Sequence, residues 1–91
     1  MLKHNTYFDG QVQSVGFERN GRKHTVGVIA VGEFHFGTQG PERMTIVTGE
    51  LHAKVGGTWA VYPAGTSFEV AGNSGFDVKA HAPCAYWCEF I

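Results

Sequence analysis

Glycine punctuates this chain so evenly that no convincing helix can be drawn. Thirteen glycines fall along 91 residues, and each costs a helix interior about 1 kcal/mol relative to alanine. Between them lie short runs rich in β-branched and aromatic residues, the composition that favours strands. Val12 to Phe17 reads as a strand, and Asn20-Gly21 after it as a type I′ hairpin turn, because both residues tolerate positive φ. Thr25 to Val31 is apolar on both faces and predicts a central strand covered on both sides. Glu33 to Phe36 continues or follows it, and Gly40-Pro41 breaks the run. Met44–Val47, Leu51–Val55, Trp59–Tyr62, Ser67–Val70, Phe76–Ala80 and Ala85–Phe90 complete the pattern, with turns at Gly49-Glu50, Gly56-Gly57, Pro63-Ala64-Gly65 and Gly72–Gly75. Nine or ten short strands at near-regular spacing predict an all-β sandwich or barrel. No linker, low-complexity tract or fixed-length repeat divides the chain, so one domain is expected over residues 1–91.

Seven Lys/Arg against eight Asp/Glu leave a formal charge of −1. That balance offers no electrostatic footprint for nucleic acid or an anionic membrane, so neither is expected as a partner. A chain of this length buries only about 60–65% of its unfolded surface, and dimerisation is a natural way to bury more. Met1 to Asn5 leads into no apolar segment, so no leader is expected. Cys84 and Cys88 are four apart; on one strand they would lie about 13 Å from each other, beyond the roughly 7 Å that a disulfide spans. They are expected to be buried free thiols, which suits a reducing cytoplasm.

Two spacings carry the functional signal. The first runs Gly27, five residues, Glu33-Phe34-His35, six residues, Glu42, six residues, Gly49. The second runs Gly57, five residues, Pro63-Ala64-Gly65, two residues, Phe68. Both resemble the signature motifs of the cupin barrel, in which His-x-His and Glu of the first motif and His of the second hold a metal. Here one histidine, His35, remains of those three, and Phe68 stands at the second-motif ligand position. The spacing implies a cupin-type jelly roll, and the substitutions argue against its usual metal. Over residues 2–91 the chain also resembles the pyrimidine/purine nucleoside phosphorylases. The likeness is carried by Asn5–Gly10, Val15–Phe17, Val26–Val28, Gly32–Phe34, Pro41–Thr45, Gly49, Tyr62, Ala64-Gly65 and Phe68–Val70. It implies a dimeric barrel and a glycosyltransferase reaction in which nucleoside and inorganic phosphate give free base and pentose 1-phosphate, with no cofactor.

Phosphorolysis at an anomeric carbon passes through a cation-like sugar, as glycoside hydrolysis does. It calls for carboxylates near the sugar, a basic group for phosphate, and a donor for the departing base. Glu33 and His35 share a strand face, and in the cupin register that face is the interior, where Glu42 joins them. Glu33 and Glu42 are therefore the catalytic candidates, with His35 as a substrate ligand. Arg22, Lys23 and Arg43 are the phosphate candidates, although strand alternation would turn Arg43 away from Glu42. The turn Gly37-Thr38-Gln39-Gly40 can also present N–H groups to an anion. Phe68 and Tyr86 are candidates for stacking on a base. His4, His24, His52 and His81 lack ligand spacing and read as surface residues. Each site residue also has a structural reading, as a solvated strand end, a charged hairpin tip or core. Two alternatives stay open: a metal-dependent cupin enzyme using Glu33, His35 and Glu42, and a non-catalytic barrel that binds a small ligand.

Overall fold

A computed structural model describes residues 2–91; Met1, the first residue of the segment expected to carry no leader, lies outside them. Among the described residues there are ten strands and no helix. They are β1 (Lys3–Tyr7), β2 (Val12–Arg19), β3 (Arg22–Ile29), β4 (Gly32–Thr38), β5 (Glu42–Thr48), β6 (Glu50–Val55), β7 (Thr58–Pro63), β8 (Ser67–Val70), β9 (Ser74–Ala80) and β10 (Cys84–Phe90). A six-stranded sheet runs β1-β2-β3-β10-β5-β8, and a four-stranded sheet runs β4-β9-β6-β7. Neighbours pair antiparallel, for example β2 with β3 and β4 with β9.

Alternation along each strand builds the core between the two sheets. Val12, Ile29, Ile46, Leu51, Val78 and Cys84 are fully buried there, with Met44, Phe68, Val70, Phe76 and Cys88 around them. Asn20 (φ 54°) and Gly21 (φ 75°) make the expected two-residue turn, and Arg19 pairs with Arg22 across it. Both cysteines are buried and free.

Three details differ from the sequence reading. β1 was not foreseen; it is an edge strand, mostly exposed, and its Lys-His-Asn-Thr-Tyr run has no apolar alternation to reveal it. β3 is central in its sheet but not covered on both sides, since Val26 and the half-exposed Val28 face outward. His24, expected on the surface, is only 7% exposed. It lies on the outer face of the larger sheet between Phe17 (5.2 Å) and Trp87 (5.9 Å), and Trp87 Nε1 donates to its Nδ1 at 3.1 Å. Planar stacking hides an imidazole whose position in the sequence looked solvated.

Candidate functional site

One end of the space between the sheets stays open as a cavity of about 630 Å³. Its polar lining includes Ser14 of β2, Lys23 and Thr25 of β3, Glu42 of β5, and Tyr86 and Cys88 of β10. Aromatic rings of Phe8, Phe36, Phe76 and Phe90 form much of the remaining wall. The polar groups meet because β2 pairs with β3, β3 with β10 and β10 with β5, so their inward positions adjoin across four neighbouring strands.

Glu42 is half-buried on β5. Burial raises its pKa above the ordinary carboxyl value, against the opposing pull of the Cys88 hydrogen bond and the Lys23 charge. The Cys88 thiol donates to Glu42 Oε1 at 3.4 Å. Burial, reinforced by the neighbouring Glu42 charge, pushes the Cys88 thiol upward, so it stays a neutral donor. Tyr86 is also buried, and its phenol is pushed up to about 12 by burial first and by the charges near it; Ser14 is its hydrogen-bond partner. The site therefore holds two hydroxyl or thiol donors that keep their protons at neutral pH, beside a carboxyl with a raised affinity for one.

Lys23 brings the positive charge. It is the sole Lys or Arg among the residues lining the cavity, and its Nζ lies 4.8 Å from the centre of the Phe90 ring. Alternation separates it from its neighbour Arg22, which lines a groove on the outer face with Phe17, Arg19 and Trp87. Arg43 likewise faces outward and is paired with Glu69 (3.1 Å) and Glu89 (3.5 Å). Of the three phosphate candidates, one reaches the cavity.

The expected interior placement of Glu33 and His35 is overturned. Both lie on the outer face of the four-stranded sheet, where Glu33 pairs with Lys79 at 3.4 Å and His35 Nδ1 meets Asp77 Oδ1 at 2.8 Å. The His35 side chain borders the cavity rim yet is 66% exposed. The reason is parity. β4 must turn either Glu33 and His35 inward or Phe34 and Phe36, and the burial pattern selects the two rings. Burying a phenylalanine gains about 1.5–3 kcal/mol, whereas an unpaired buried carboxylate costs several.

Phe68 does face inward, but it packs in the core against Tyr62 (4.5 Å) and Phe76 (5.8 Å) instead of lining the cavity. Tyr86 does line it. Gly37, Gln39 and Gly40 of the glycine-rich turn border the opening. Cys88, Thr25, Ser14 and Phe8 were not singled out beforehand. The inward parity of Tyr86 and Cys88 on one strand was the signal that would have found Cys88. The residues present do not fit the metal site that a cupin fold implies: Glu33 and His35 point away from Glu42, and among the described residues no group of three His, Cys, Asp or Glu is placed to share an ion.

Two packed antiparallel sheets with a ligand-sized cavity between them define a small cupin-type protein. The cupin domain of an XRE-family transcriptional regulator from Enterobacter cloacae shares this fold, with a TM-score of 0.67 at 16% identity over 75% of this chain and 78% of that one. The model of the family described as pyrimidine/purine nucleoside phosphorylase matches residues 2–90, and the chain belongs to that family. A protein of that name from Sorangium cellulosum is 68% identical over the full length of both chains. A crystal structure of a protein of unknown function from Vibrio parahaemolyticus superposes with a TM-score of 0.96 at 46% identity, covering 100% of this chain and 99% of that one.

Proposed function

We propose that the protein is a cytoplasmic pentosyltransferase that phosphorolyses purine and pyrimidine nucleosides in this cavity, without a metal or other cofactor. Family membership supports the reaction class. The observation that carries the site assignment is the pairing of one burial-raised carboxyl, Glu42, with one cation, Lys23, in a cavity walled by aromatic rings.

In this reading Lys23 holds inorganic phosphate by charge and hydrogen bonds. The C1′–N bond of the nucleoside breaks as a phosphate oxygen bonds C1′. The neutral carboxyl of Glu42 gives its proton to the departing base, and the proton of the bound hydrogen phosphate restores Glu42. Base and pentose 1-phosphate leave with atoms and charge balanced. Tyr86 and Cys88 act as fixed donors: the phenol toward a sugar hydroxyl, the thiol toward Glu42. Cys88 is thus a positioning residue. The reaction needs one carboxyl here, not the two expected from the sequence. The buried free thiols agree with a reducing compartment.

Incubation with uridine or adenosine should release free base only when phosphate is present, at a rate unchanged by a chelator. Lys23→Met is expected to raise the KM for phosphate about tenfold or more while moving the KM for nucleoside much less; initial-rate kinetics with each substrate varied would show it. An unchanged phosphate KM would take Lys23 out of the site. The exposed Val15, Val26, Val28 and Val47 on the outer face of the six-stranded sheet suit contact with a second copy. A homodimer is part of the proposal, and sedimentation equilibrium should return twice the chain mass.

A further inference from the structure

Phe8 occupies a backbone conformation that its side chain disfavours. Its φ is 53°, followed by Asp9 at 54° and Gly10 at 87°. Gly10 N donates to Tyr7 O and Gln11 N to Phe8 O, each at 3.1 Å, closing a tight left-handed turn between β1 and β2. Turns of this hand select Gly, which has no Cβ to crowd the following carbonyl, or Asn and Asp, whose short polar side chains bond locally. The Asn20-Gly21 turn one hairpin later shows the unstrained choice. A bulky aromatic residue here is a local conflict, and such conflicts concentrate at ligand sites.

Core packing does not account for the conflict, since Phe8 remains 43% exposed. Its ring leans on Phe34 at 5.0 Å and meets Phe36 edge-on at 5.9 Å. That contact steadies the ring at the cavity, which Phe8 and Phe36 line together with Glu42, Lys23 and Tyr86. Phe68, the ring singled out from the sequence, is committed to the core.

We infer that Phe8 is the stacking platform for the base, a planar heterocycle lying against its exposed ring at the cavity mouth. The assignment of that heterocycle to a nucleoside rests on the phosphorolysis proposed above. Every base offers a π face, so stacking tolerates purines and pyrimidines alike, and a platform of this kind would make base preference shallow.

The test uses free adenine as the probe, titrated by calorimetry into the wild-type protein and into Phe8→Leu, Phe8→Asn and Phe8→Trp, with adenosine phosphorolysis assayed in parallel. Phe8→Leu keeps an apolar contact for Phe34, and Phe8→Asn suits the turn, so the two remove the ring by routes that affect folding differently. Adenine binding should weaken about tenfold or more in both and persist in Phe8→Trp. The KM for adenosine should rise with it, while the KM for phosphate stays within about twofold. Wild-type adenine affinity in either folded variant lacking the ring would overturn the inference, as would no adenine binding by the wild type. A wild type that binds adenine through Phe8 yet cleaves no nucleoside would remove the phosphorolysis reading and leave the base site standing.

Discussion

Glu42→Gln is expected to lower kcat for uridine phosphorolysis by about 10²–10⁴-fold, the usual contribution of a positioned general acid. Its melting temperature at neutral pH should meanwhile hold or rise. The two effects have one cause. Burial raises the carboxyl pKa in the folded protein above its ordinary value of 4.5. For a group raised in this way, the folded state favours the protonated form. Its stabilising contribution is full below about pH 4.5 and is lost as pH rises through the folded value. Glutamine carries no proton to lose, so the variant should gain on the wild type at neutral pH, and the gain should vanish toward pH 4. Activity has the matching sign. If neutral Glu42 protonates the base, wild-type kcat falls as pH rises through the raised pKa, and the variant lacks that limb. Glutamine can still accept the Cys88 hydrogen bond, so the cavity should keep its shape. Glu33→Gln is the control: its carboxylate pairs with Lys79 on the outer face, and kcat should stay within about twofold. A Glu42→Gln enzyme with wild-type kcat would remove this carboxyl from the chemistry.

The fold was legible because its cues are local and repeated. Glycine turns separated by β-rich runs needed no long-range information, and Asn20-Gly21 alone fixed one hairpin. What was illegible had no such cue. β1 is polar on both faces and owes its strand conformation to pairing with β2, from Lys3 opposite Gly16 to Tyr7 opposite Val12. His24 owes its burial to Phe17 and Trp87, and Trp87 is far from it in the chain.

The candidate site was half legible for a related reason. Strand parity says which residues share a face but not which face is inside. Glu33 with His35, and Arg43 against Glu42, were sorted correctly into faces. The inside of β4 is decided by Phe34 and Phe36, whose burial outweighs the motif spacing that pointed the other way. On β5 the same contest favours Met44 and Ile46, and Glu42 is carried inward with them. An interior carboxylate here is a consequence of its neighbours' hydrophobicity, offset in part by the Cys88 bond. Motif spacing therefore located Glu42, and alternation from Tyr86 would have added Cys88, while Phe8 depended on knowing which turn is strained.

Gly27→Ala is expected to destabilise the protein by about 1–3 kcal/mol, the range for forcing extra atoms into a packed interior. In a domain of this size each kcal/mol lowers the melting temperature by roughly 4–8 °C, so thermal unfolding reads it directly. Gly27 faces inward between its partners Ser14 on β2 and Tyr86 on β10. A Cβ there would stand 2.6 Å from Gln13 O, 2.7 Å from Tyr86 Oη and 2.8 Å from Tyr86 Cζ. The tyrosine ring crosses the bare backbone to reach Ser14, so the phenol occupies the space that a side chain would fill. The variant should thus lose kcat beyond its loss of stability, since Tyr86 must leave its place over the cavity. Adding Tyr86→Phe should not restore the melting temperature: the ring carbon stays, and Gln13 O belongs to the paired backbone of β2 and cannot move without opening the ladder. Full rescue by Tyr86→Phe would show that the hydroxyl alone sets the constraint. Gly27 is also the first glycine of the spacing that suggested a barrel. In this chain it is required by the tyrosine packed against it, which ties the fold signature to the site it encloses.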